Sequence, residues 1–165
     1  MSLAILTKPV IPLSVQETAA HGFTHVVMLR HEDLTNTSTA STPTQTLELI
    51  NLEEGDVVQA CATRLIQKFQ DTADSAQNST TIEVGDGGDV DRFLASQELN
   101  VNGTEIVAKA GTGTLLAYTA ADTLDVKVTG TASKALSDLN AGEVHIYLRI
   151  AKLGALSKAV SPELA

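Results

Sequence analysis

At 165 residues, with 43% hydrophobic and 19% charged residues, the chain is long enough for one domain that buries roughly 70% of its unfolded surface, and too apolar to be disordered. Its formal net charge of -9 excludes partners held by phosphate neutralisation, which requires clustered Lys and Arg, so no direct nucleic-acid ligand is expected.

Residues 1–20 carry Pro9 and Pro12 in an apolar, weakly patterned run. Proline has no ladder donor, which excludes a central strand, and an isolated apolar arm sits poorly in water; an N-terminal arm lying against a neighbour is expected. No basic segment opens the chain and no apolar run approaches the ~20 residues that cross a bilayer, so no membrane partner is expected and synthesis is placed in a cytoplasm. Residues 21–153 are read as the folded domain and 154–165 as a tail.

Phe23 to His31 (FTHVVMLRH) and Gln45 to Leu52 (QTLELINL) are strand-like, separated by an exposed Ser/Thr-rich loop from Asn36 to Thr44 that holds Pro43. Asp56 to Gln70 is ambiguous, because Val57, Cys61, Leu65 and Phe69 at four-residue spacing also make a helical stripe. Strand is favoured, since Gly55-Asp56-Val57-Val58 parallels Gly142-Glu143-Val144: a glycine turn, an acid, then β-branched residues. Cys61 lies between two alanines and is expected to be a buried, inert thiol; as the single cysteine it excludes an internal disulfide and a CxxC site.

Thr80 to Val84 alternates and stops at Gly85-Asp86-Gly87-Gly88, whose glycines permit positive φ. Asp89 then caps a short predicted helix in which Val90, Phe93 and Leu94 share a face. Leu115 to Thr119 reads as a strand joined by a hairpin, through Ala120-Ala121-Asp122-Thr123, to the alternating Leu124, Val126 and Val128. Val144, Ile146, Leu148 and Ile150 alternate with Glu143, His145, Tyr147 and Arg149, the clearest half-buried strand in the chain. With aromatics at only 3%, the core must be Val, Ile, Leu and Ala, anchored at Phe23, Phe69, Phe93, Tyr118 and Tyr147. Short strands with turn signals between them and no βαβ spacing give an all-β class: an antiparallel sandwich or barrel with one short helix.

Candidate chemistry is sparse. His21 and His25 stand at helical spacing for a metal pair, but on a strand His21, His25 and His31 share a face and spread too far for one ion at ~3.3 Å per residue. His145 stands apart, and all four read as solvated or interface side chains. Asp86, Asp89 and Asp91 resemble part of a calcium loop but lack the remaining oxygen ligands and a bidentate Glu, so a turn and a helix cap explain them. Gly111-Thr112-Gly113 has no following Lys-Ser/Thr pair and reads as a turn rather than a phosphate loop, and no serine sits in a GxSxG. No catalytic, cofactor-binding or metal residue is therefore expected, and the chain is read as a non-enzyme that binds other proteins.

Three stretches carry a resemblance: GDVVQACATRLIQKFQDTADSAQNSTTIEVGDGGDVDRFL (Gly55 to Leu94), LLAYTAADTLDVKVTG (Leu115 to Gly130) and LSDLNAGEVHIYLRI (Leu136 to Ile150). Together they are similar to the small β-sandwich capsid decoration (cement) proteins of tailed bacteriophages. The resemblance implies a jelly-roll-like sandwich, assembled as a homotrimer on the capsid exterior of a virion and bridging subunits of the major capsid protein. It transfers no catalytic residues. The alternative is a receptor- or glycan-binding module of a phage head fibre or tail, which exposed aromatics at one loop end would favour. An enzyme such as a small hydrolase is a third possibility and would need a concave site with paired catalytic groups.

Overall fold

Every long stretch of two-residue alternation becomes a strand. The computed structural model describes residues 4–5, 11–12, 14, 22–100, 108–111 and 115–153. In chain order these contain β1 (Ala4–Ile5), β2 (Ile11–Pro12), β3 (His25–Arg30), β4 (Thr44–Leu52), β5 (Asp56–Gln70), β6 (Thr80–Asp86), β7 (Asp89–Glu98), β8 (Ala108–Ala110), β9 (Leu116–Ala117), β10 (Asp122–Gly130) and β11 (Ala141–Lys152). Two 3-10 turns, His31–Asp33 and Leu136–Asp138, interrupt them, and the described residues hold no α-helix.

The strands form two sheets packed face to face. Sheet one runs β1-β4-β10-β6-β7, and sheet two runs β2-β3-β11-β5-β8 with β9 also on β5. All pairings are antiparallel except that of the dipeptide β1 with β4. Pairs β3/β11, β4/β10, β5/β8–β9 and β6/β7 nest inside one another, as in one long hairpin. Rolling that hairpin brings β11 against β5 and β10 against β6. This is the jelly-roll order, which distributes successive strands between two sheets and keeps the exposed edges few.

Alternation then decides the core. Leu47, Ile82, Val84, Leu124 and Val126 point inward from sheet one, and Val27, Leu29, Val144, Ile146 and Leu148 from sheet two, nearly all with no exposed surface. A buried cross-sheet bond from the Thr63 hydroxyl on β5 to the Gln97 side-chain oxygen on β7 adds a directional tie to this apolar contact. Gly55 and Gly142 both take positive φ, 89° and 146°, and each introduces one of the two long paired strands β5 and β11. A Cβ on Gly142 would lie 2.5 Å from the Phe69 ring, so the position demands glycine twice over.

Several sequence expectations need correction. Residues after Asp89 form β7, not a short helix: the Gly87-Gly88 hairpin pairs them with β6, and two register shifts let the adjacent Phe93 and Leu94 both face inward. Val90, the third member of the supposed helical stripe, is 45% exposed. The glycines of that hairpin do not use positive φ; Gly85 is required instead because a Cβ would fall 2.0 Å from the Asp89 carbonyl oxygen. The hairpin from Leu115 to Thr119 into β10 is also absent. Leu116–Ala117 pairs with β5 in sheet two, while β10 begins in sheet one, so Tyr118 to Ala121 crosses between sheets. Hydrogen bonds from Gly55 N to Tyr118 O (2.8 Å) and from Tyr118 N to Asp56 O (2.9 Å) hold the crossover to sheet two.

Of the expected arm, Ala4–Ile5 lies beside β4 and Ile11–Pro12 beside β3, with Pro12 on a sheet edge. Apart from Ser14, the rest of residues 1–20 and the tail 154–165 lie outside the described residues.

Candidate functional site

A sandwich has two backs, and here they differ in chemistry. On sheet two, β11 stands between β3 and β5, and residues opposite one another on the three strands form rows, with a register shift on β5 between Gln67 and Leu65. Arg30, Glu143 and Gln67 make one row, Met28, His145 and Arg64 the next, and Val26, Tyr147 and Ala62 the third, with Arg149 opposite Ala60 beyond. Phe23 packs on Tyr147 with ring centroids 5.7 Å apart, and His145 lies edge-on to Tyr147 at 6.3 Å.

Charge within this face is partly internal. Glu143 accepts from Arg30 Nε at 2.9 Å and sits 2.8 Å from His145 Nε2, contacts that hold its carboxyl below the usual range, the histidine bond contributing most. Arg64 and Arg149 are exposed, and among the described residues neither makes an ion pair.

The back of sheet one is threonine-rich and acidic. Thr44, Thr129 and Thr81 form one row, Thr46, Lys127 and Glu83 another, and Glu48, Asp125 and Gly85 a third. Lys127 Nζ meets Glu83 at 2.9 Å. Asp125 has the opposite situation: it faces Glu48 directly across the ladder, and its Oδ1 is buried without a hydrogen-bond partner. Burial pushes its carboxyl above the usual range; a hydrogen bond from the Thr123 side chain opposes the rise, and Glu48, Asp122 and Asp86 add to it.

Asp86 closes one end of the sandwich. It accepts from the Tyr118 hydroxyl at 2.8 Å and from the Gly88 and Asp89 amides at 3.0 and 2.9 Å, and lies 2.7 Å from Arg92 Nε. Burial raises its carboxyl, but these donors outweigh burial and hold it below the usual range. Tyr118 responds in the other direction, its phenol pushed up by burial and then by the Asp86 carboxylate. An open depression of about 230 Å³ beside them is lined by Asp86, Arg92, Tyr118 and Asp122. A second, of about 220 Å³, is lined by polar groups including Lys68, Asp71 and Asn100.

The residues singled out in the sequence are thus dispersed. Asp86 is turned onto Tyr118 and Arg92, whereas Asp89 and Asp91 pair with each other on β7, where the Asp89 contact raises the Asp91 carboxyl. His25 is on β3, its ring held toward neutrality by burial and then by Lys152; His31 is in a 3-10 turn rather than on the strand; His145 joins Glu143. His21 and residues 112–113 of the glycine turn lie outside the described residues, while Gly111 N donates to Cys61 O at 2.8 Å. Cys61 is buried, which pushes its thiol up to about 12. No three His, Cys, Asp or Glu side chains among the described residues converge as a metal site.

The sequence expectation missed the grouping on sheet two. Phe23 and Tyr147 were assigned to the core, yet only Phe69, Phe93 and Tyr118 are buried. The available signal was parity: Tyr147 stands in the polar register of β11, among Glu143, His145 and Arg149. Compared with known protein families, with curated proteins and with solved structures, the chain finds no match.

Proposed function

We propose that this chain is a structural protein that stabilises an assembly by binding other protein subunits, and specifically that it decorates the outside of a bacteriophage capsid. On this reading it contacts the major capsid protein as a homotrimer and joins the virion after synthesis in the host cytoplasm. The single observation that carries the reading is the jelly-roll sandwich whose sheet-two back gathers Phe23, Met28, Tyr147, Arg64 and Arg149. Aromatic residues, Met and Arg are the types enriched at protein interfaces. The three resembling stretches include β5, β6, β10 and most of β11, central strands of both sheets.

The physics of such a role is linkage. A protein that binds the assembled shell and not its dissociated subunits stabilises the shell by about 2.7 kcal/mol per site at a hundredfold excess over Kd. Incubation with phage shells lacking decoration should therefore give saturable, symmetry-matched binding and a higher disruption temperature, with the free protein eluting as a trimer in light scattering. Absence of binding to shells, together with retention on a glycan array or host cells, would replace this reading with that of a receptor-binding module.

A further inference from the structure

We infer that the back of sheet two is a docking face for an acidic protein surface, with Arg64 and Arg149 as its cationic contacts around a flat Tyr147–Phe23–Met28 centre. The inference deepens the assembly role above and rests on it for its biological setting, but it names the face and the chemistry of the partner.

The charge of the face is the first support. Arg30 and His145 both turn onto Glu143, whereas Arg64 and Arg149 are exposed and make no ion pair among the described residues. Arg64 lies in the row of His145, and Arg149 is four residues farther along β11. At ~3.3 Å per residue and ~4.8 Å between strands, the two guanidinium-bearing positions bracket the Tyr147 row about 14 Å apart. A chain of net charge -9 thus presents a cationic, aromatic back.

The second support is shape. Between the cations lie Ala60 and Ala62, whose small side chains let another surface approach closely. Ile66, on the same parity of β5, is 48% exposed.

The remaining question is which anion. The acids of sheet one stand on the far side of the sandwich, at least the ~10 Å sheet spacing away, beyond the Debye length of about 8 Å at physiological salt. They do not cancel a short-range attraction to Arg64 and Arg149. Two outward arginines are too few for nucleic acid or an anionic bilayer, which need a run of cations. An acidic protein patch, which combines a few carboxylates with apolar contact, satisfies both constraints.

Titration of the full-length 15N-labelled chain with poly-L-glutamate, begun at physiological salt where the acids of sheet one are screened, tests the face directly. Amide shifts should centre on residues 60–66 and 145–149, weaken with added salt, and require about tenfold more ligand in the R64E/R149E variant. Circular dichroism checks that variant for folding, and R64A/R149A provides a second variant without charge reversal. Shifts centred on β4, β10 and β6, or unchanged in both variants, would overturn the inference. So would a stronger response to heparin or phosphatidylserine vesicles than to poly-L-glutamate, or concentration-dependent self-association through the same face. Co-sedimentation with undecorated shells then separates the two levels. Wild type that binds shells equally well as R64E/R149E defeats the docking face but keeps the decoration role; wild type that binds poly-L-glutamate through sheet two but not shells keeps the face and defeats the role.

Discussion

The two backs of the sandwich are built from the same backbone pattern, a central strand flanked by antiparallel neighbours with alternate residues outward, yet they solve the exposure of those residues differently. On sheet one, polar hydroxyls and acids fill the rows around Lys127. On sheet two, the same kind of rows hold Val26, Met28, Tyr147 and arginines. Alternation dictates which side chains leave the core, but it is silent on what they meet outside. A water-facing back is expected to resemble sheet one; sheet two is populated as though its solvent were another protein. The internal conflict also falls unevenly: Glu143 on sheet two is shared by Arg30 and His145, whereas Asp125 on sheet one faces an acid.

The largest expected effect tests how strictly sheet two is framed. Gly142 at the start of β11 has φ 146° and no room for a Cβ beside Phe69. Gly142→Ala should cost roughly 2–4 kcal/mol in urea unfolding, through backbone strain and overpacking together. A loss below about 0.5 kcal/mol, the level of an ordinary surface change, would mean that β11 can shift, and that the rows on its outer face are not held in one register.

Next in size is the tie between the sheets. Tyr118 is bonded through its backbone to sheet two and through its hydroxyl to Asp86 on sheet one. Tyr118→Phe removes a donor from a buried carboxylate, at a cost of roughly 1–3 kcal/mol. The sign with pH follows from Asp86 lying below its ordinary range. Its stabilisation is present above the unfolded-state pKa of about 3.9 and is lost as pH falls through the lower folded value. The gap between wild type and Y118F should therefore be full at neutral pH and narrow in acid; a gap that widens in acid would assign the effect to packing of the ring instead.

Legibility from sequence was uneven for physical reasons. Asp56–Gln70 is ambiguous by spacing, and strand is favoured only because Gly55-Asp56-Val57 repeats the chemistry of Gly142-Glu143-Val144; it is a strand, and the two segments pair along their length. Val90, Phe93 and Leu94 misled because a bulged strand can bury two consecutive residues and so imitate a helical stripe. Leu115 to Thr119 misled because period two identifies a strand without naming its partner; the Tyr118 contacts to Asp56 and Asp86 that set the crossover are long-range. The nested strand order was not legible: the resemblance implied a jelly-roll-like sandwich, and no spacing fixed how its strands are ordered. The sheet-two face was illegible for a related reason. It draws Phe23, Val26 and Met28 from one strand region, Arg64 from another and Tyr147 from a third, and only the register of β11 between β3 and β5 brings them into rows.

The smallest effect bears on the acidic back. Asp125 faces Glu48 across the ladder, and its buried Oδ1 has no partner, so its charge opposes folding. Asp125→Asn keeps the shape and removes that charge, and should stabilise the protein by roughly 0.5–1 kcal/mol at neutral pH, the scale of one cross-strand like-charge pair. The pH dependence runs opposite to that of Asp86. A carboxyl held above its unfolded pKa contributes stability below that pKa and loses it as pH rises through the folded value. The gain from D125N should accordingly vanish in acid and grow toward neutrality, and added salt should reduce the share due to Glu48. If D125N is destabilising at neutral pH, the hydrogen bond from Thr123 to the charged carboxylate outweighs burial and Glu48 together, and Asp125 is a structural tie rather than one tolerated unfavourable contact.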